Sequence, residues 1–119
     1  MSTSYLTASG WVDITDELTW ASGTWNFKYA WYLPSLHMVQ FGGRYESGTN
    51  NQVLVTFPER YCPIDNVVLP GVASNTASGA YQTEYCHNTL HSNGEYNLVL
   101  SSTSYNKRIV FSGLFPCKT

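Results

Sequence analysis

The chain has 119 residues, a mass of 13.3 kDa and a formal net charge of −2, with only 12% of residues charged and 15% aromatic. That is the length of one domain, and so many aromatics with so little charge exclude a disordered chain. Six basic residues against eight acidic ones leave no basic field for nucleic acid, and no apolar run reaches the ~18 residues of a membrane helix, so no membrane insertion is expected.

The 13 Ser, 12 Thr and 9 Asn make the polar surface mostly hydroxyl and amide. Residues 1–9 read as a polar leader or stem junction ahead of a domain at 10–119. They hold neither the basic segment nor the apolar core of a signal peptide. The first segments with a clear pattern alternate with a period of two. Tyr29, Trp31 and Leu33 share one parity and Lys28, Ala30 and Tyr32 the other; Val39 and Phe41 share a face, as do Val53, Val55 and Phe57. Near the end, Ile109, Phe111 and Phe115 fall on one side and Arg108 and Ser112 on the other. Such alternation in short runs rich in β-branched and aromatic residues marks half-buried strands.

Strands are expected around 11–15, 27–33, 36–45, 52–57, 66–69, 80–87, 95–100 and 107–115, with at most a turn at Ile14 to Leu18. Turn signals separate them at Ser22-Gly23, Ser47 to Asn51, Pro70-Gly71, Ser78-Gly79 and Asn93-Gly94. Asn93-Gly94 has the composition of a tight hairpin turn. Pro58 and Pro63 make the segment between them an extended, strand-ending loop. The fold class is therefore all-β, a single antiparallel β-sandwich or barrel, jelly-roll-like, of seven to nine short strands.

Several residue clusters invite a chemical reading. Sugars present apolar C–H faces rimmed by hydroxyls, and a site for them combines flat aromatic rings with fixed amides and hydroxyls. Trp20, Trp25, Tyr45, Tyr81, Tyr85 and Tyr105 lie in or beside Ser/Thr/Asn/Gly loops, where binding residues concentrate. Trp11, Trp31, Tyr61, Phe111 and Phe115 are expected in the core or at a subunit interface. That leaves Trp25, Tyr81, Tyr85 and Tyr105, with Asn88 and His91, as the expected saccharide-binding residues. His87 and His91 are four apart, which suits a metal only on a helix. Asn88, Thr89 and the following Ser-Asn-Gly argue for strand and loop, so no metal or other cofactor is expected. Asp13, Asp16 and Glu17 form the one acidic cluster, read as a turn rather than a catalytic pair or calcium loop. No Gly-x-Ser-x-Gly or phosphate-binding glycine loop occurs. Cys62, Cys86 and Cys117 read as three reduced thiols, with a Cys86–Cys117 disulfide as the alternative.

Taken in order, these features resemble the C-terminal receptor-binding domains of tailed-phage baseplate and tail-fibre proteins. The resemblance runs through Gly10-Trp11-Val12-Asp13-Ile14-Thr15, the strand pair Phe27 to Leu33 and Leu36 to Gly43, and Phe57-Pro58-Glu59-Arg60-Tyr61-Cys62-Pro63. It continues through Gly94 into Glu95 to Leu100 and ends at Gly113-Leu114-Phe115-Pro116. Phe57 stands where that pattern has Leu, and Pro34-Ser35 where it has an Asn-Gly-like turn. The resemblance implies a non-enzymatic head domain of a tail tip or baseplate. It would assemble as a homotrimer on the rest of the tail and adhere to host cell-surface saccharide, and its place would be the virion. Two alternatives stand beside it: a structural trimerisation domain, and a polysaccharide-degrading tailspike module.

Overall fold

The computed structural model describes residues 9–75, 83–100 and 107–119. The chain is all-β. Among the described residues, nine strands form one antiparallel sheet: β1 (Val12–Asp13), β2 (Thr19–Trp20), β3 (Trp25–Leu33), β4 (Met38–Gly48), β5 (Val53–Thr56), β6 (Val67–Asn75), β7 (Thr83–Leu90), β8 (Glu95–Asn97) and β9 (Lys107–Pro116). Their spatial order is β1-β3-β4-β9-β6-β7-β8-β5-β2.

That order explains the shape. β1 and β2 occupy opposite ends of the sheet, yet only Ile14 to Leu18 separate them in the chain. So short a link forces the sheet to curl until its two ends meet, and the result is a half-barrel. A single 3-10 turn, Thr15–Glu17, bridges the seam. Ile14 N–H donates to Ala30 O of β3 at 2.9 Å, and the Trp20 indole of β2 donates to Thr15 O at 2.9 Å. Ile14 and Leu18 are buried beneath the turn.

The inside of the curl is an aromatic core. Phe41, Phe57, Tyr96, Phe111 and Phe115 interlock at centroid separations of 5.0–5.8 Å, mostly edge to face. This is the geometry that aromatic quadrupoles favour. One polar network lies among them. Asn88 Nδ2 donates to Tyr96 Oη at 2.9 Å, Tyr96 Oη donates to Leu69 O at 3.0 Å, and Val99 N–H donates to Asn88 Oδ1 at 3.0 Å.

The strand expectations hold with shifts. Residues 11–15 divide into β1 and the 3-10 turn, β2 is an additional strand, and β7 runs on to Leu90 beyond the expected 80–87, of which 80–82 lie outside the described residues. Pro70-Gly71 is not a turn but the interior of β6. The β6–β9 ladder ends at Gly71↔Phe111, so Pro70 stands just past its last pair, and a strand tolerates the missing proline N–H at such a ladder end. Asn93-Gly94 does make the β7–β8 turn: Gly94 N–H donates to His91 O at 2.9 Å, and Gly94 takes a φ of +99° that glycine adopts without strain. The proline-flanked loop stays extended at Pro58 and Cys62 but holds a 3-10 turn, Glu59–Tyr61, between them. All three cysteines are buried free thiols.

Candidate functional site on the outer sheet face

Antiparallel sheets with one solvated face usually turn polar residues outward. Here the outward residues of the five central strands are largely apolar, and the registers set them in three rows. Phe27, Arg44, Val110, Val72 and Tyr85 lie side by side across β3, β4, β9, β6 and β7. On β3, β4 and β9 the next row is Tyr29, Gly42 and Ser112 and the third is Trp31, Gln40 and Leu114; past the end of the β6–β9 ladder, β6 and β7 continue with the pairs Pro70–His87 and Val68–Thr89. Phe27 is 50% exposed, Leu114 52% and Val68 60%.

The rows are not level. In the middle row β4 contributes only Gly42, and the Tyr29 side chain lies over it: a Cβ built there would sit 2.8 Å from Tyr29 Oη and 2.7 Å from Phe111 O. A groove of about 340 Å³ results, lined by Phe27 and Tyr29 on one side, Pro70 and Val72 on the other, and Val110 and Ser112 between. The two walls stand three strands apart, roughly 14 Å between strand axes. Trp31 stacks on Tyr29 with centroids 4.6 Å apart, which extends the aromatic wall along β3. A smaller hollow of about 160 Å³ lies between β7 and the chain after β8, lined by Tyr85, His87, Val99 and Leu100.

The residues expected to bind saccharide are dispersed by this fold. Tyr85 is 78% exposed and lies in the outer row that also holds Phe27. Trp25, expected at an exposed loop, belongs to the edge of the core. A bulge between Trp25 and Phe27 inserts one extra residue into β3, so the alternation changes side and Trp25 pairs with Tyr45 on the inner face. Its ring meets Trp20, Tyr45 and Phe111 at 4.8–6.0 Å, and its indole donates to Ala21 O at 2.8 Å. Asn88 is fully buried with both ends of its amide satisfied inside the core, so it cannot reach a ligand on the surface. His91 is half-buried in the β7–β8 turn, away from the three rows, its N–H donating to Glu95 O. Tyr81 and Tyr105 lie outside the described residues.

Trp31, expected in the core or an interface, faces outward beside Tyr29, whereas Tyr61, Phe111 and Phe115 are buried. The aromatic wall of Phe27, Tyr29 and Trp31 was therefore missed as a site. Its signal lay in the chain: within 28–32, Ala30 is the residue small enough to pack beneath a curled sheet, so the parity opposite it must face out.

The acidic cluster is absorbed by local structure. Asp13 Oδ1 accepts from Thr15 N–H at 3.0 Å and Thr15 Oγ1 at 2.7 Å, and Glu17 pairs with Arg60. Among the described residues, no group of three His, Cys, Asp or Glu side chains is placed to hold a metal ion.

Burial pushes the thiols of Cys62, Cys86 and Cys117 and the phenols of Tyr61 and Tyr96 above their ordinary values. These groups stay neutral near pH 7, and none is activated as a nucleophile. No protein-family model matches the chain, and no curated protein is similar to it in sequence.

Proposed function

We propose that this chain is a non-enzymatic saccharide-binding domain whose site is the outer-face groove. One observation carries the reading: two aromatic side chains of β3, Phe27 and Tyr29, wall an open groove whose opposite wall is Pro70 and Val72, and Trp31 stacks on Tyr29 beside it. Aromatic faces stack on the C–H faces of sugars, and Gln40, Ser112, His87 and Thr89 supply hydrogen-bonding edges on the same face. Following the sequence resemblance, the domain would serve as the receptor-binding head of a phage tail tip or baseplate. Presentation as a homotrimer would multiply weak single-site binding through avidity.

The test is binding of the folded domain to an immobilised panel of bacterial surface glycans, with Tyr29→Ala and Phe27→Ala beside the wild type. Each loss of a stacking ring should weaken binding at least tenfold, the equivalent of about 1.4 kcal/mol. Wild-type binding to no glycan, or equal binding by Tyr29→Ala, rejects the reading.

A second reading is a structural trimerisation domain. The aliphatic residues Val68 and Leu114 favour it, because they are exposed on β6 and β9 and do not line the groove. Light scattering decides: a mass near three times 13.3 kDa that falls to one chain in Leu114→Asp places these residues between subunits.

A further inference from the structure

We propose that the groove selects an acidic saccharide and that Arg44 is the residue that receives its carboxylate. The inference rests on the saccharide reading above and adds the ligand's charge class.

Arg44 stands in the first outer row with groove-lining residues as both its cross-strand partners, Phe27 on β3 and Val110 on β9. Its Nε has no hydrogen-bond acceptor, and its ion pair with Glu46 is a long one. Among the described residues, the one carboxylate within ion-pair distance is Glu46, and Arg108 already occupies both of its oxygens: Arg108 Nε donates to Oε2 at 2.8 Å and Nη2 to Oε1 at 3.1 Å. Arg44 Nε is left 3.8 Å from Oε2, beyond hydrogen-bond reach, buried and without an acceptor. Two guanidinium groups facing one carboxylate leave a net charge of +1 beside the groove-lining pair Phe27 and Val110. On the outer rows among the described residues, the other titratable side chains are His87 and Tyr85 on β7 and Tyr29 on β3, and none of them is an acid.

A buried donor with no partner is costly, and a guanidinium fork matches the two parallel oxygens of a carboxylate. A uronic acid residue stacked on the Phe27–Tyr29 wall would bring its carboxylate to the row that holds Arg44. The aromatic wall alone would not distinguish acidic from neutral sugars; Arg44 would.

The experiment compares two probes that differ only in charge, tetragalacturonate and its fully methyl-esterified twin, by calorimetry at low and moderate salt. A charge-assisted bidentate contact predicts that wild type prefers the charged form by about ten- to a hundredfold, with the preference shrinking as salt rises. Arg44→Gln should erase the preference and leave the ester's affinity in place, and Arg44→Lys should keep only part of it. Equal affinity of wild type for the twins overturns the inference while the saccharide reading stands. Binding of neutral glycans from the panel but of neither twin overturns it too. Binding of no glycan of any charge removes the reading beneath it. Should Arg44→Gln fail to fold, the wild-type comparison of the twins decides alone.

Discussion

Replacing Asn88 with alanine should unfold this domain more readily than any surface change, because it breaks a polar network centred on two fully buried side chains. Asn88 and Tyr96 are both 0% exposed. Alanine leaves Val99 N–H without its acceptor and Tyr96 Oη without its donor, although Tyr96 still donates to Leu69 O. A stranded buried polar group costs about 1–3 kcal/mol. Val99 is partly exposed and Tyr96 Oη keeps one bond, so both belong at the low end, and the small cavity adds about 1 kcal/mol. The sum is about 3 kcal/mol. At an unfolding entropy of about 2 cal/mol/K per residue, a domain of this length loses roughly 4 °C in Tm per kcal/mol, or about 12 °C in all. Urea and thermal unfolding would read this, with Tyr96→Phe and the double variant completing a cycle. The two single losses should exceed the double by about 0.5–3 kcal/mol, since each strands the partner of the other. A cost below about 1 kcal/mol for Asn88→Ala, or simple additivity, refutes the assignment of Asn88 to the core network.

Trp25→Ala should cost about 3 kcal/mol by emptying the corner between Trp20, Tyr45 and Phe111, whereas Tyr85→Ala should stay within about 0.5 kcal/mol of wild type. Equal costs in urea titration would mean that the bulge does not set their sides. Gly42→Ala should destabilise by about 1–3 kcal/mol and weaken glycan binding, because the new Cβ meets Phe111 O, which cannot move aside, and dislodges Tyr29; unchanged stability and binding would reject the groove floor as drawn. Stability should fall under alkaline conditions. Cys62, Cys86 and Cys117 are raised above 9.0, and Tyr61 and Tyr96 above 10.0, chiefly by burial. The unfolded chain therefore releases these protons first, so their contribution is intact below pH ~9 and disappears as pH rises through the folded-state values. A urea midpoint that does not decline between pH ~8 and ~11 would contradict this.

The fold class was legible because a period of two survives in single strands without knowledge of their neighbours. Ile109, Phe111 and Phe115 announce an inner face in their own spacing, and Asn93-Gly94 announces its turn. What sequence spacing misled about depends on non-local pairing. One extra residue between Trp25 and Phe27 reverses a side chain, and its presence shows only when β4 is set alongside. Asn88 has the composition of a surface ligand, and only the arrival of Tyr96 and Val99 from a different part of the chain turns it into a core residue. Pro70-Gly71 looks like a turn until the ladders on either side of β6 are drawn.

The outer rows come from the same non-local pairing, and they separate stability from recognition in a way that can be checked. Phe27, Val110, Val72 and Tyr85 come from four strands and are neighbours only through register. The aromatic core beneath is closed without them, since Phe41, Phe115 and Tyr96 are fully buried by inner-face contacts. Exposed apolar side chains that add no core burial do little for folding of a single chain. Val68→Thr with Leu114→Thr should therefore change unfolding by no more than about 0.5 kcal/mol per site, because threonine suits a strand surface as well as valine does. Whatever these two positions do must then appear elsewhere, in the mass of the assembly or in its affinity for glycan. A large loss of stability in the isolated single chain would show that the outer face is part of the core's support, and would remove the reason for assigning it a partner.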